Sequence, residues 1–133
     1  FHNCAIVSVE KRSPGHAKKL INAVWGLGLL SLTRCVVVVD HDVDVHDVSA
    51  VAFRAFSNVD AGRDVLVVDG PVDALDHAAP WPAYGAKIGF DATAKWPGEG
   101  QVRPWPEEIR MSDDIRTRVD ARWADFGIRL PGA

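Results

Sequence analysis

The sequence predicts an α/β fold: a layered sheet, largely parallel or mixed, flanked by helices, with a long loop and a C-terminal helix. Two observations carry this. Three short apolar runs rich in β-branched residues, at positions 4–9, 35–39 and 65–68, have the look of strands buried on both faces. Between them lie two segments whose apolar residues recur at helical spacing. The order strand, helix, strand, helix, strand implies a sheet with right-handed crossovers.

Taken in order, the run CAIVSV at 4–9 is the first strand. Ala17, Leu20, Ile21, Val24 and Leu27 then mark one face of a helix, with Ser13 as its N-cap, Pro14 at its first position, and Gly26 and Gly28 at its end. CVVVV at 35–39 is the second strand. Asp47 caps a second helix, in which Val48, Val51, Ala52 and Ala55 repeat the pattern and Asn58 lies near the end. VLVV at 65–68 is the third strand. The stretch 70–97 is then read as one long loop, rich in Gly and Pro, where connections of about two to six residues are the norm. Its Leu75, Trp81, Tyr84, Ile88, Phe90 and Trp96 carry too much apolar surface for a solvated linker, so it is expected to lie down on something. Beyond Pro104-Trp105-Pro106, Ser112 caps a last helix with Asp113 and Asp114 at its positive end. Ile115, Val119, Trp123 and Phe126 line one face of it and predict that it rests in a groove of its own domain or of a partner.

The chain has 133 residues, of which 47% are hydrophobic and 25% charged, the composition of one globular domain with one core. A net charge of -3 and dispersed Lys and Arg give no basic field for a phosphate backbone, so no nucleic-acid partner is expected. Nor does any stretch approach the roughly 20 apolar residues of a membrane span. Cys4 and Cys35, the two cysteines, read as buried thiols of a cytoplasmic protein rather than a disulfide frame, with a pairing between them left open by the sequence. The first residues hold neither Met nor the features of a signal peptide, and the chain is expected to be a domain cut from something longer.

Three clusters invite a chemical reading. Asp40-His41-Asp42-Val43-Asp44-Val45-His46-Asp47 offers four carboxylates and two imidazoles, but Val45 and Val51 stand where a calcium loop needs Gly and Glu, and a single acidic turn lacks the separated ligands of a zinc site. It reads as a solvated strand end followed by a helix cap, and no metal ligands are assigned. Gly26-Leu27-Gly28 lacks the third Gly of a dinucleotide fingerprint and closes a helix instead of opening one. Lys87, Lys95, Lys18 and Lys19 are anion candidates whose ordinary state is solvated. Five tryptophans without a basic groove read as cover for core edges and a domain interface.

Several blocks in one order resemble a known family. They are Phe1-His2-Asn3-Cys4, Pro14-Gly15-His16-Ala17-Lys18-Lys19, Val36-Val37-Val38-Val39-Asp40-His41-Asp42-Val43 and Gly70-Pro71-Val72-Asp73-Ala74-Leu75-Asp76-His77-Ala78. Tyr84-Gly85-Ala86-Lys87-Ile88-Gly89-Phe90-Asp91-Ala92-Thr93 and Lys95-Trp96-Pro97 complete the set. Together they resemble the C-terminal part of UbiD-type decarboxylases, with a likeness that fades after about Trp123. The resemblance implies reversible, non-oxidative decarboxylation of aromatic or α,β-unsaturated acids, with benzoate-type quinone precursors the nearest substrates and phenolic and heteroaromatic acids also open, by an intact cytoplasmic enzyme using prenylated flavin mononucleotide, manganese and potassium. It implies that the flavin, the metal and the catalytic residues belong to a flavin-binding region preceding this segment. Here, then, no catalytic, cofactor or metal residues are assigned, and the fragment alone is expected to be inactive. Asp76, His77 and Ala78 are carried over as substrate-lining residues. Partners implied are the aromatic acid, the N-terminal and flavin-binding domains of the same chain, and further copies in a homo-oligomer. Two other classes remain open: a freestanding α/β module that binds a small ligand, and a structural oligomerisation domain.

Overall fold

A computed structural model describes residues 3–128; Phe1 and His2 of the first quoted block lie outside the described residues. Four strands form one mixed sheet, α/β in class as predicted: β1 (Cys4–Val9), β2 (Cys35–Asp40), β3 (Val65–Pro71) and β4 (Tyr84–Asp91), in the order β1-β2-β4-β3. β1, β2 and β4 run parallel, and β3 lies antiparallel to β4. β4 is the element the sequence hides. It sits inside the segment read as a loop because Gly85, Gly89 and Lys87 interrupt its apolar alternation.

Two helices take opposite faces. On one, α1 (His16–Trp25) sets Ala17, Ile21 and Val24 against Val36 and Val38 of β2. Fully burying side chains of this size stabilises by about 1.5–3 kcal/mol each. The closest approach is at Gly89, where a Cβ would stand 2.6 Å from Ile21 Cγ2. On the other face, α2 (Val48–Asn58) covers Val39, Val43 and Ala92, with Val51 its buried contact. Because β3 returns antiparallel, the chain leaves β2 and enters β3 at the same end of the sheet, and α2 need not span the sheet's length. The row Cys4, Cys35, Ile88 and Val67 at the other end of that face is therefore left partly open.

Several local expectations change. α1 starts at His16, and Gly15, with φ 74, occupies the cap position in place of Ser13, whose carbonyl accepts from the His16 amide. Gly15 serves because the left-handed turn there costs it nothing. Gly26 ends α1, and a 3-10 turn over Gly28–Leu32 follows, as the helix-ending reading of those glycines requires. Asp47 does cap α2, its Oδ1 accepting from the Ser49 and Ala50 amides at 3.0 Å. Val48 is exposed, outside the apolar stripe it was expected to join. β3 is an edge strand with Val67 64% exposed, so it is not buried on both faces. The last helix, α3 (Asp113–Ala121), packs chiefly on the 3-10 turn Trp123–Phe126, and Ile115, Trp123 and Phe126 stay exposed instead of resting in a groove of the domain. Ser112 stands at its N-cap position but turns its hydroxyl to Asp114.

Candidate functional site

The connection between β3 and β4 is folded by its own side chains. Asp73 Oδ1 accepts from the Leu75 amide at 2.8 Å, and Asp76 Oδ1 from the Ala78 amide at 3.1 Å, two turns of the kind Asp favours. The Val72 amide closes the base of the connection on the Ala83 carbonyl, and Ala83 itself is left-handed at φ 57. Val72 is buried and holds the base down.

One contact ties this loop to the sheet. Asp76 is buried, and its Oδ2 stands 2.8 Å from Arg34 Nε at the entry to β2, a contact of charges that is not aligned as a hydrogen bond. Beside it opens a cavity of about 570 Å³ lined by Arg34, Val67, Ala78, Trp81, Tyr84 and Ile88 among others. That volume falls within the range of small-molecule sites, and an apolar wall with a few placed polar groups is their usual character. Of the three residues read from the sequence, Ala78 lines the cavity, Asp76 pins the loop from beneath, and His77 is exposed beside them. Arg34, which sequence reading passed over, is the cation that joins loop, strand and cavity. The available signal was weak: a lone Arg immediately before an apolar strand.

At the opposite end, where the parallel strands finish, lies a cluster of charges that the sequence reading also missed. Lys95 Nζ is fully buried, 2.9 Å from Asp91 Oδ1 and 3.4 Å from Asp64 Oδ1. Asp64 accepts a two-pronged pair from Arg63, at 2.9 Å to Oδ1 and 2.7 Å to Oδ2, and the Asp60 amide at 2.9 Å. Burial alone would raise the Asp64 carboxyl, but Arg63, the Asp60 amide and Lys95 hold it below the usual carboxylate range. Next to it, Lys11 donates to Thr93 Oγ1, the Ala94 carbonyl and Glu99 Oε2. Glu99 in turn accepts from the Gly15 and Trp96 amides at 2.8 and 2.7 Å. Its carboxyl is likewise lowered, since these donors outweigh the burial that opposes them. The cluster is internally satisfied. It fastens 91–99 to α1 and occupies the anion-attracting start of that helix with the protein's own carboxylate.

The acidic turn after β2 is used up in the same manner. Asp40 Oδ2 accepts the Ala94 amide at 2.7 Å, Asp44 the His46 amide, and Asp42 faces Arg54 and Arg110. Burial pushes the Asp40 carboxyl up, against the Ala94 amide and Lys11, which pull it down. Among the described residues no three His, Cys, Asp or Glu side chains are placed to hold a metal ion. Lys87 and Lys95 are buried, contrary to their solvated reading. Lys87 donates to the Ser31 carbonyl and lies 5.4 Å over the Trp25 ring, and burial lowers its pKa. Trp25 covers a core edge as expected, whereas Trp81 and Trp123 stay exposed.

Comparison with known proteins gives this architecture a family. A family model for the 3-octaprenyl-4-hydroxybenzoate carboxy-lyase C-terminal domain matches residues 1–92. Uncharacterized proteins of Archaeoglobus fulgidus and Aquifex aeolicus are 50% identical over 127 residues and 47% identical over 128, covering 95% and 96% of this chain. The chain spans about a quarter of their length, 26% of each. Among solved structures, the UbiD-class enzyme HmfF of Pelotomaculum thermopropionicum, in complex with FMN, is 33% identical with a TM-score of 0.65, over 79% of this chain and 24% of that one. The closed form of vanillic acid decarboxylase from Sedimentibacter hydroxybenzoicus shares the fold, with a TM-score of 0.79 at 23% identity over 93% of this chain and 26% of that one. The chain belongs to the UbiD family, as its C-terminal domain.

Proposed function

We propose that residues 1–133 form the C-terminal domain of a prenylated-flavin-dependent, non-oxidative and reversible decarboxylase of aromatic or α,β-unsaturated carboxylic acids, acting in quinone biosynthesis in the cytoplasm. The observation that carries this reading is the loop 72–83, held by the Arg34 and Asp76 contact beside an apolar cavity with aromatic walls. A flat acid suits such a place, with its ring between Trp81 and Tyr84 and its carboxylate toward Arg34. In this reading Ala78 lines the cavity, the exposed His77 lies beside it, and Asp76 fixes both by fixing the loop.

The prenylated flavin, manganese and potassium belong, in this reading, to the flavin-binding region of the intact enzyme. The residues present do not fit these groups: the start of α1 already holds Glu99, and the buried carboxylates are paired with Lys11, Lys95 and Arg63. When bound, the cofactor supplies the electron sink for carbon–carbon cleavage. This chain contributes one wall of the substrate cleft and a body that closes over it to exclude water. The exposed Trp81 and Trp123 supply surface for the remainder of the chain and for homo-oligomer contacts.

The test is to supply prenylated flavin and manganese to the purified chain and to a version extended upstream through the flavin-binding region, then follow aromatic-acid decarboxylation. Turnover by the extended version alone is expected. Turnover or flavin binding by the 133 residues would place the active site within this chain and overturn the proposal. Saturable binding of a small acid without any flavin would favour the freestanding module instead.

A further inference from the structure

The two cysteines are direct partners in the sheet, a relation that the family assignment does not use. β1 and β2 pair in parallel with Cys4 opposite Cys35, so both side chains leave the same face of neighbouring strands. Adjacent strands lie about 4.8 Å apart, inside the roughly 4.4–6.8 Å over which two Cα atoms can be bridged by a disulfide. Both are free thiols. Cys4 is exposed and Cys35 half-buried, so the expectation of two buried thiols fails for the first. The open half of this face, which α2 does not reach, is what leaves Cys4 accessible.

We propose that Cys4 and Cys35 form a redox-active dithiol, which a small disulfide such as oxidised glutathione converts to an intramolecular disulfide linking β1 to β2. In the first step the Cys4 thiol gives up its proton and its sulfur attacks one sulfur of the small disulfide. One glutathione leaves as thiolate and takes up a proton, and Cys4 is left in a mixed disulfide. In the second, the Cys35 sulfur loses its proton and attacks the Cys4 sulfur, expelling the second glutathione, which is protonated in turn. Two protein thiols are oxidised to one disulfide, and one small disulfide is reduced to two thiols.

The order of the steps follows from the surroundings. The Cys35 thiol is pushed up to about 12, first by burial and then by the neighbouring Cys4. It is therefore a poor first nucleophile, since the thiolate is the reactive form. Once Cys4 is in the mixed disulfide it can no longer ionise, and its share of that suppression disappears. The leaving glutathione then departs from a sulfur whose directly paired neighbour across the strands is the second thiol.

With only two cysteines in the chain, the test is unambiguous. The chain is incubated with oxidised glutathione across a pH series, quenched with iodoacetamide and weighed intact. The expected product is a monomer lighter by two hydrogens, with loss of both alkylatable thiols and recovery of both after dithiothreitol. Cys35→Ser should stop at the mixed disulfide, and Cys4→Ser should react at least tenfold more slowly than Cys35→Ser. A stable mixed disulfide in the unaltered chain, retention of either alkylatable thiol, or a disulfide between two chains would each overturn the proposal. Cys4→Ser reacting as fast as Cys35→Ser would overturn the assigned order.

Discussion

Gly89→Ala is the substitution for which the structure fixes both sign and cause. Gly89 sits within β4 on the face covered by α1, and a Cβ there would meet Ile21 Cγ2 at 2.6 Å, Ile21 Cδ1 at 3.1 Å and Trp25 Cη2 at 3.2 Å. Ile21 is wholly buried and branched at Cβ, so its Cγ2 cannot swing aside and α1 must lift. Overpacking of this kind costs about 1–3 kcal/mol. Replacing Gly by Ala returns about 0.4–1 kcal/mol through the unfolded chain. A net loss of about 1–2 kcal/mol is expected, read as a lower urea midpoint with unchanged slope. The cause is checked by Ile21→Ala, which alone should cost about 2–5 kcal/mol. In that background the new methyl enters the vacated space, so Gly89→Ala should become neutral or stabilising. Costs of the two changes that add to within about 0.5 kcal/mol would refute the contact as the cause.

Three further outcomes follow from the buried charges. Lys95→Met leaves Asp91 and Asp64 facing one another in the interior, and a loss of about 3–5 kcal/mol at neutral pH is expected, shrinking in acid as the carboxyls protonate; denaturant titrations at the two pH values measure it. Asp64 and Glu99 lie below their ordinary values of 3.8 and 4.5, so the folded state binds fewer protons than the unfolded. Their contribution is complete above those values and lost as pH falls through the lowered ones; Glu99→Gln should flatten this acid limb, and an unchanged limb would exclude Glu99 from it. Asp40 behaves oppositely, because burial raises it and its ionised form costs stability at neutral pH. Asp40→Asn keeps an oxygen for the Ala94 amide and should be neutral or up to about 1 kcal/mol more stable at pH 7, the advantage fading as pH falls through the raised value; thermal melts across pH read this out.

What could be read from the sequence was whatever announces itself within a few neighbouring residues. The β-branched runs of β1 and β2 give a continuous apolar signal, and Asp47 declares a cap because its acceptor serves amides two and three positions ahead. β4 fails this test for a reason of packing. Its central glycine is imposed by Ile21, 68 positions earlier, and its Lys87 is buried against Trp25 and Ser31 on elements before β2. A strand whose composition answers to another element looks like a loop when read alone. The site divides in the same way. The stretch 70–97 draws notice by composition and Asp76, His77 and Ala78 within it by family resemblance, whereas Arg34 matters only because folding sets it against Asp76, 42 positions away. Lys11 with Glu99, and Lys95 with Asp64, are hidden by the same separation.

In open α/β sheets ligands ordinarily lie beyond the carboxyl ends of the parallel strands, where successive helices begin. Here that end carries Lys11 just beyond β1, Asp40 at the end of β2, and Asp91 through Lys95 at and beyond the end of β4. Every one of them is committed to an internal partner, and the start of α1 is filled by Glu99. A cavity of about 510 Å³ lined by Lys11, Asp40, His41 and Trp96 among others does open there, but its buried charges are already paired, and freeing them for a ligand costs several kcal/mol for each ion left unpaired. The opposite end is built differently. There β3 hands over to β4 through the pinned loop, α2 does not reach, and the cavity, Arg34 and the Cys4–Cys35 pair all lie at the amino ends of the parallel strands. One change in topology, the antiparallel return of β3, accounts for both ends. It brings Asp64 into the ionic cluster at one and, at the other, leaves the face around Arg34, the cavity and the Cys4–Cys35 pair uncovered by α2.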